Sequence, residues 1–181
     1  VCGAQPQMTP LDLLRLVARG MHEAALPASR SDLLADAMVE IIEKALVENA
    51  RDGRRTVVVI DEAHMIDNPS VLEATRLLLN FQDAGGFRLT LLLLGHPELA
   101  ARVAELKQLA QRIPITCRLE HFDRPDVEGY IQARLAVAGR PDPLFTKDAL
   151  DTIHQHSGGI PRRINTLCDV SLAVGSAQGA A

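Results

Sequence analysis

The stretch Thr56-Val57-Val58-Val59-Ile60-Asp61-Glu62-Ala63-His64 decides how this chain is read. Five β-branched residues run without alternation and stop at two carboxylates. A run that is apolar at every position predicts a strand buried on both faces, the habit of parallel sheets covered by helices on each side. Such a strand delivers its last side chains to the carboxyl edge of the sheet, where ligands bind in open α/β folds. Asp61 is suited to holding Mg²⁺ through its water shell, and Glu62, pointing the other way, to polarising a water molecule. A solvated acidic turn at a strand end is the plainer alternative.

Working outward, Arg88 to Leu94 is a second apolar stretch, with helical spacing from Ser70 to Phe81 between the two. Two buried strands joined through a helix predict a parallel sheet flanked by helices, an α/β fold. A helix near Pro97 to Leu109 and a short strand from Ile115 to Leu119 complete the expected sheet region. Upstream, Thr9, Pro10 and Asp12 supply an N-cap, a first-turn proline and an acid at the third helical position, predicting a helix over Pro10 to Met21. A second helix is predicted from Ser31 to Arg51, with Leu34, Met38, Ile41, Ile42, Ala45 and Leu46 on one face and Asp52-Gly53 as its stop. From Phe122 on the character changes to helices alone, over Pro125 to Ala138, Thr146 to His156 and Pro161 to Val174. The expected domains are therefore an α/β core over 1–121 and a small helical domain over 122–181.

The bulk properties argue against several classes without closing off nucleic acid. A formal net charge of −4 supplies no global positive field to draw the chain onto nucleic acid or an anionic membrane. With one Tyr, four Phe and no Trp, it lacks the stacking platform of a single-strand binder. Cys2, Cys117 and Cys168 are odd in number and show no zinc or disulfide spacing, which points to a reducing, cytoplasmic setting. The longest apolar runs are strand-length, so no membrane span is expected. The chain begins with Val1 and shows no signal peptide, and it reads as a piece of something longer.

Three further positions carry potential chemistry. His96 follows the second strand in Gly95-His96-Pro97-Glu98-Leu99, at a tip where it could sense a phosphate; a lone His there is also an ordinary loop or cap residue. Arg112, in Leu109-Ala110-Gln111-Arg112-Ile113, stands at a helix end, and Arg162 and Arg163 open a helix after Ser157-Gly158-Gly159-Ile160-Pro161. Each of these arginines reads equally as a surface charge.

Asp61-Glu62-Ala63-His64, Arg76-Leu77-Leu78-Leu79-Asn80, Gly95 to Leu99, Gln108 to Ile113, Tyr130 to Leu135 and Gly158 to Asp169 follow one another in order. Together they resemble the ExeA/GspA family, AAA+ ATPases of the general secretion pathway whose relatives serve pilus biogenesis, polysaccharide export and transposition. The resemblance extends from about Pro6 to Gly175. It implies a P-loop NTPase fold of the AAA+ type with a C-terminal helical lid, and ATP with Mg²⁺ as cofactors. By the same resemblance Asp61 and Glu62 are the Walker B pair, with Asp61 on the metal and Glu62 catalytic. His96 takes the sensor 1 position, where the family usually carries Gln, and a neutral imidazole can still donate one hydrogen bond. Arg112 resembles an arginine finger offered to a neighbouring subunit, and Arg162 takes the sensor 2 position against nucleotide.

The phosphate-binding pattern G-x-x-x-x-G-K-[ST] occurs nowhere in the 181 residues. Gly85-Gly86 lacks the lysine, and Gly158-Gly159 runs into Ile160-Pro161. Backbone N–H groups and the lysine of that loop provide most of the grip on the β- and γ-phosphates, so these residues alone are expected to bind ATP poorly and to hydrolyse it little. The resemblance implies an oligomeric ATPase that couples turnover to assembly of a secretion or envelope-export machine, with proteins of that machine as partners. An ATPase helper of DNA transposition and a degenerate, non-enzymatic interaction module are the alternatives.

Overall fold

The computed structural model describes residues 1–21, 35–83 and 86–179. The start of the second predicted helix, Ser31 to Leu34, lies outside them. The elements run β1 (Cys2–Gly3), α1 (Pro10–Met21), α2 (Ala35–Arg51), β2 (Thr56–Asp61), a 3-10 turn (Ala63–Met65) and α3 (Pro69–Leu78). They continue with β3 (Gln82–Asp83), β4 (Gly86–Phe87), β5 (Leu89–Leu93), α4 (Glu98–Glu105), α5 (Lys107–Ala110), α6 (Arg124–Val137), α7 (Lys147–Ser157) and α8 (Pro161–Ala177). The chain divides into two compact units, Val1–Thr116 and Cys117–Ala181.

In the first unit, the sheet has the order β1-β2-β5 with both pairings parallel, so the fold is α/β as its sequence predicts. β2 and β5 pair from Thr56↔Leu89 to Ile60↔Leu93. Beyond the regular ladder the Leu94 N–H donates to the Ile60 carbonyl at 2.9 Å and the Ala63 N–H to the Leu94 carbonyl at 2.8 Å. On the other side the Ala4 N–H donates to the Asp61 carbonyl at 3.0 Å. The end of β2 is thus bonded on both flanks.

Because side chains alternate along a strand, this register puts Val58, Ile60, Leu89, Leu91 and Leu93 on one face and Val57, Val59, Leu92 and Leu94 on the other. The first set joins Leu13, Leu14 and Val17 of α1, Met38, Ile42 and Leu46 of α2 and Val71, Leu72 and Leu78 of α3 in one core. The second face is not covered by the described residues: Val57 is 56% exposed, Leu92 45% and Leu94 40%. The parallel sheet is flanked by helices as the sequence predicts, and the cover expected over this second face is not supplied by the described residues.

α1 starts as predicted. The Asp12 N–H donates to Thr9 Oγ1 at 3.2 Å while the Thr9 N–H donates to Asp12 Oδ2 at 3.1 Å, which satisfies two of the orphan donors of the first turn. α3 opens on Asn68, whose side chain accepts from the Ser70 N–H, followed by Pro69. The predicted helix from Pro97 to Leu109 is two helices, broken at Leu106, which lies outside helical space.

The predicted strand Ile115–Leu119 is absent. A strand needs a partner for its N–H and C=O groups, and among the described residues none runs beside this segment. It stays without ladder bonds, with Ile115 74% and Leu119 95% exposed.

The second unit is helical. α6 begins with a capping box between Asp123 and Asp126, and α7 begins on Thr146 and ends on Gly158 in the left-handed conformation. Val127, Ile131, Leu150, Ile153 and Ile164 form its core, with Phe122, Tyr130 and Leu167 packed on it. Gly159 (φ +72°) tolerates no side chain, because a methyl there would fall on the Phe122 carbonyl, and its own carbonyl accepts from the Phe122 N–H at 3.0 Å. Among the described residues no helix is long and apolar enough to cross a membrane.

Candidate functional site

The carboxyl edge of the sheet is built from the exits of β2 and β5. Asp61 is the last residue of β2 and is exposed. One of its oxygens, Oδ1, accepts from the Glu62 N–H at 2.9 Å, which leaves the other to solvent. Glu62 follows at φ 54°, ψ 34°, the one non-glycine residue with positive φ among the described residues. A side chain in this left-handed conformation costs about 1–3 kcal/mol and persists only where the surroundings over-determine it. Here the ladder bonds of Ile60, Asp61 and Ala63 on both flanks hold the turn, together with Arg102 of α4, whose guanidinium donates to the His64 carbonyl at 2.7 Å and also to that of Ile66.

The strained turn directs Glu62 and His64 to the same place. Glu62 Oε2 lies 3.3 Å from His64 Nδ1, and the same nitrogen lies 3.3 Å from the backbone nitrogen of His96, which donates to it. The imidazoles of His64 and His96 stack, with centroids 3.9 Å apart and planes inclined by 13°. His64 is nearly buried, its side chain 10% exposed, whereas Glu62 is 59% exposed. Gly95 makes this approach possible: a Cβ there would stand 3.1 Å from the His64 nitrogen, 3.2 Å from its Nδ1 and 3.1 Å from a Leu99 methyl.

Of the five residues singled out from sequence, three meet at this edge. Asp61 and Glu62 are consecutive, and His96 reaches them through His64, which sequence reasoning quoted in a motif without giving it a role. The signal that finds His64 is the register: it stands three residues past the end of β2, as His96 does past the end of β5. Arg102 was missed as well, and nothing in its sequence context marks it. Arg112 is exposed at the end of α5 and donates to the Leu79 carbonyl at 3.5 Å, at the C-terminus of α3. Arg162 lies in the first turn of α8, exposed, in the second unit.

A cavity of about 270 Å³ lies elsewhere, against Val1, Gly20, Asn49, Arg54 and the first residues of β2. It flanks the amino end of the strand that carries the carboxylates and does not belong to this site. Burial pushes the thiols of Cys2 and Cys168 above their ordinary range, so neither is poised as a nucleophile.

Comparison with known proteins adds the following. The sequence profile of a family described as AAA domain matches residues 2–103. Over 177 residues the chain is 40% identical to general secretion pathway protein A of Aeromonas hydrophila, an alignment that covers 96% of this chain and 31% of that protein. The chain thus spans about a third of the length of that relative. No solved structure matches it.

Proposed function

The chain belongs to the AAA domain family, a family of P-loop NTPases, and from that premise we propose that it forms the metal- and water-binding half of an ATP-hydrolysing site, together with a helical lid. The observation that carries this reading is the exit of β2. A strained residue is held at the carboxyl edge of a parallel sheet, directly after a carboxylate with a free oxygen. Residues kept in costly backbone conformations cluster where chemistry needs a fixed geometry, and no packing gain accounts for Glu62, which is exposed.

In this reading Asp61, through its unbonded oxygen, holds the hydrated Mg²⁺ that accompanies ATP. That ion supplies neutralisation of the β- and γ-phosphate oxygens when bound. Glu62 orients and deprotonates the attacking water, and His96, at the tip of the neighbouring strand, donates a hydrogen bond toward the γ-phosphate. Arg112, exposed at a helix end, is the group offered to a neighbouring subunit of an oligomer. Arg162, exposed in the first turn of α8 in the helical unit from about residue 122 onward, is the nucleotide-contacting arginine of the lid. The phosphate grip itself has no counterpart in these 181 residues and comes from sequence outside them. The 40% identity to a general secretion pathway protein favours work on a secretion or envelope-export machine at the cytoplasmic side, with ATP turnover driving its assembly.

The test uses the longer protein that includes a phosphate loop. Glu62→Gln keeps the shape of the side chain and loses its negative charge, so ATP binding is expected to survive while turnover falls about 10²-fold or more. Mixing Glu62→Gln with Arg112→Ala subunits is expected to restore part of the activity, because some interfaces then pair an intact Glu62 with an intact Arg112. Unchanged turnover in Glu62→Gln would reject the assignment of the water-polarising role, and strictly additive rates in the mixtures would reject a trans-acting Arg112.

A further inference from the structure

We propose that Glu62, His64 and His96 form a binding site for a single divalent transition-metal ion of the zinc class, occupied without nucleotide and distinct in its ligands from the Mg²⁺ site assigned to Asp61. One carboxylate oxygen and one nitrogen from each imidazole lie within 4.8 Å of one another. A tetrahedral ion with bonds near 2.1 Å sets its ligand atoms roughly 3.4 Å apart. His64 Nδ1 and Glu62 Oε2 already stand at 3.3 Å. The remaining adjustment falls on His96, an exposed residue in the loop after β5: imidazole lone pairs lie in the ring plane, so its ring must leave the stack on His64, where the planes are inclined by only 13°, and turn a nitrogen toward the ion.

The contact between the first two ligands asks for a cation. His64 Nδ1 accepts a hydrogen bond from the His96 N–H, so it presents its lone pair, and 3.3 Å away it faces a carboxylate oxygen that carries only lone pairs. Two acceptors at that distance repel, and a positive centre between them, a proton on Nδ1 or a metal ion, removes the repulsion. A metal ion there turns the repulsion into two coordinate bonds, and the exposed His96 N–H passes to water. Preorganisation adds to this: His64 is nearly buried and its main chain is fixed by Arg102, so little side-chain entropy remains to be lost there on binding.

The donor set also selects the metal. Two imidazoles and one carboxylate suit zinc, cobalt, nickel or copper, whereas Mg²⁺ takes oxygen donors and keeps its waters. Three protein ligands leave a fourth position for water, the pattern of an open zinc site. If Glu62 has the role given to it above, an ion bound here withdraws it from the water it polarises and the metal acts as an inhibitor. That consequence rests on the proposed function; the binding itself does not.

The experiment is therefore made on the 181-residue chain without nucleotide. Titration with Zn²⁺ by calorimetry is expected to give one site with micromolar or tighter affinity that persists in millimolar Mg²⁺. Titration with Co²⁺ is expected to give the visible absorption of a four- or five-coordinate nitrogen and oxygen site. His96→Gln and Glu62→Gln each remove one ligand on an exposed side chain, and each is expected to weaken Zn²⁺ binding about tenfold or more with unchanged circular dichroism. Histidine ring NMR signals of His64 and His96 are expected to shift together at one equivalent. Absence of saturable binding, affinity in both variants unchanged from that of the native chain, or a Co²⁺ spectrum with thiolate charge-transfer bands from Cys2, Cys117 or Cys168 would each overturn the proposal.

Discussion

On one face of the three-stranded sheet Val58 and Ile60 are buried in a continuous core with α1, α2 and α3, while on the other Val57, Leu92 and Leu94 stand 56%, 45% and 40% exposed. Both faces are built from the same residue types, so composition does not separate them. What separates them is whether a layer of helices lies above. An apolar strand face is thus a demand for cover rather than a record of it. The carboxyl edge, where the two faces meet solvent, gets its shape from ladder bonds and a strained turn and little from either core.

The largest expected effect tests this difference between the faces directly. Ile60→Ala removes a fully buried side chain and leaves a cavity between helices and sheet, and should cost about 2–5 kcal/mol in urea denaturation of the 181-residue chain. Val57→Thr, three residues earlier and on the open face, should change stability by no more than about 0.5 kcal/mol. If the two substitutions cost the same, something covers the open face in solution. A dependence of the Val57→Thr cost on protein concentration would then identify the cover as a second copy of the chain.

A middle-sized effect probes the edge. Gly95→Ala places a methyl 3.1–3.2 Å from His64 and Leu99, tighter than ordinary contact, so those neighbours must yield. The expected loss is about 1–2 kcal/mol, smaller than that of Ile60→Ala. It should be accompanied by a change in the His64 ring signals in NMR that Val57→Thr does not produce. Unchanged ring signals would mean that the stacking of His64 on His96 does not depend on the close passage of the two strand exits.

Much of the fold was legible because its signals are local. The β-branched run from Thr56 to Ile60, the cap at Thr9 and Asp12, and the proline start at Pro161 each fix an element through their own neighbours. The Ile115 to Leu119 segment shows where locality fails: its pattern suits a strand, but a strand exists only with a partner, and no pattern inside the segment supplies one. At the site, Asp61 and Glu62 could be read from the end of an apolar run. The left-handed conformation of Glu62 could not, since nothing in the side chain of a glutamate asks for it. The stacking of His64 on His96 spans 32 positions in sequence and becomes visible only once the register pairs Ile60 with Leu93.

The smallest expected effect concerns the cap of α1, one of the helices that makes the packed face what it is. Thr9→Ala removes the hydroxyl that accepts from the Asp12 N–H and also binds the Asp12 carboxylate. A cost of about 1 kcal/mol is expected at neutral pH. Its pH dependence follows from the Asp12 carboxyl, which hydrogen bonds from the Thr9 side chain and backbone, aided by the charge of Arg15, hold below its ordinary value of 3.8. A carboxyl with a depressed folded-state pKa binds fewer protons in the folded than in the unfolded chain. Its contribution is therefore complete above 3.8 and is lost as pH falls through the lower folded value. Because the carboxylate is largely exposed, water screens much of that contribution. Losing the hydroxyl also removes the first cause of the depression, so the stability gap between the native chain and Thr9→Ala should narrow as pH drops below 3.8. Urea denaturation of both proteins at neutral pH and well below 3.8 measures the gap. A gap that stays constant would mean that the cap works through the hydroxyl and the Asp12 N–H alone, with the carboxylate half of the box contributing nothing to holding α1 over the core.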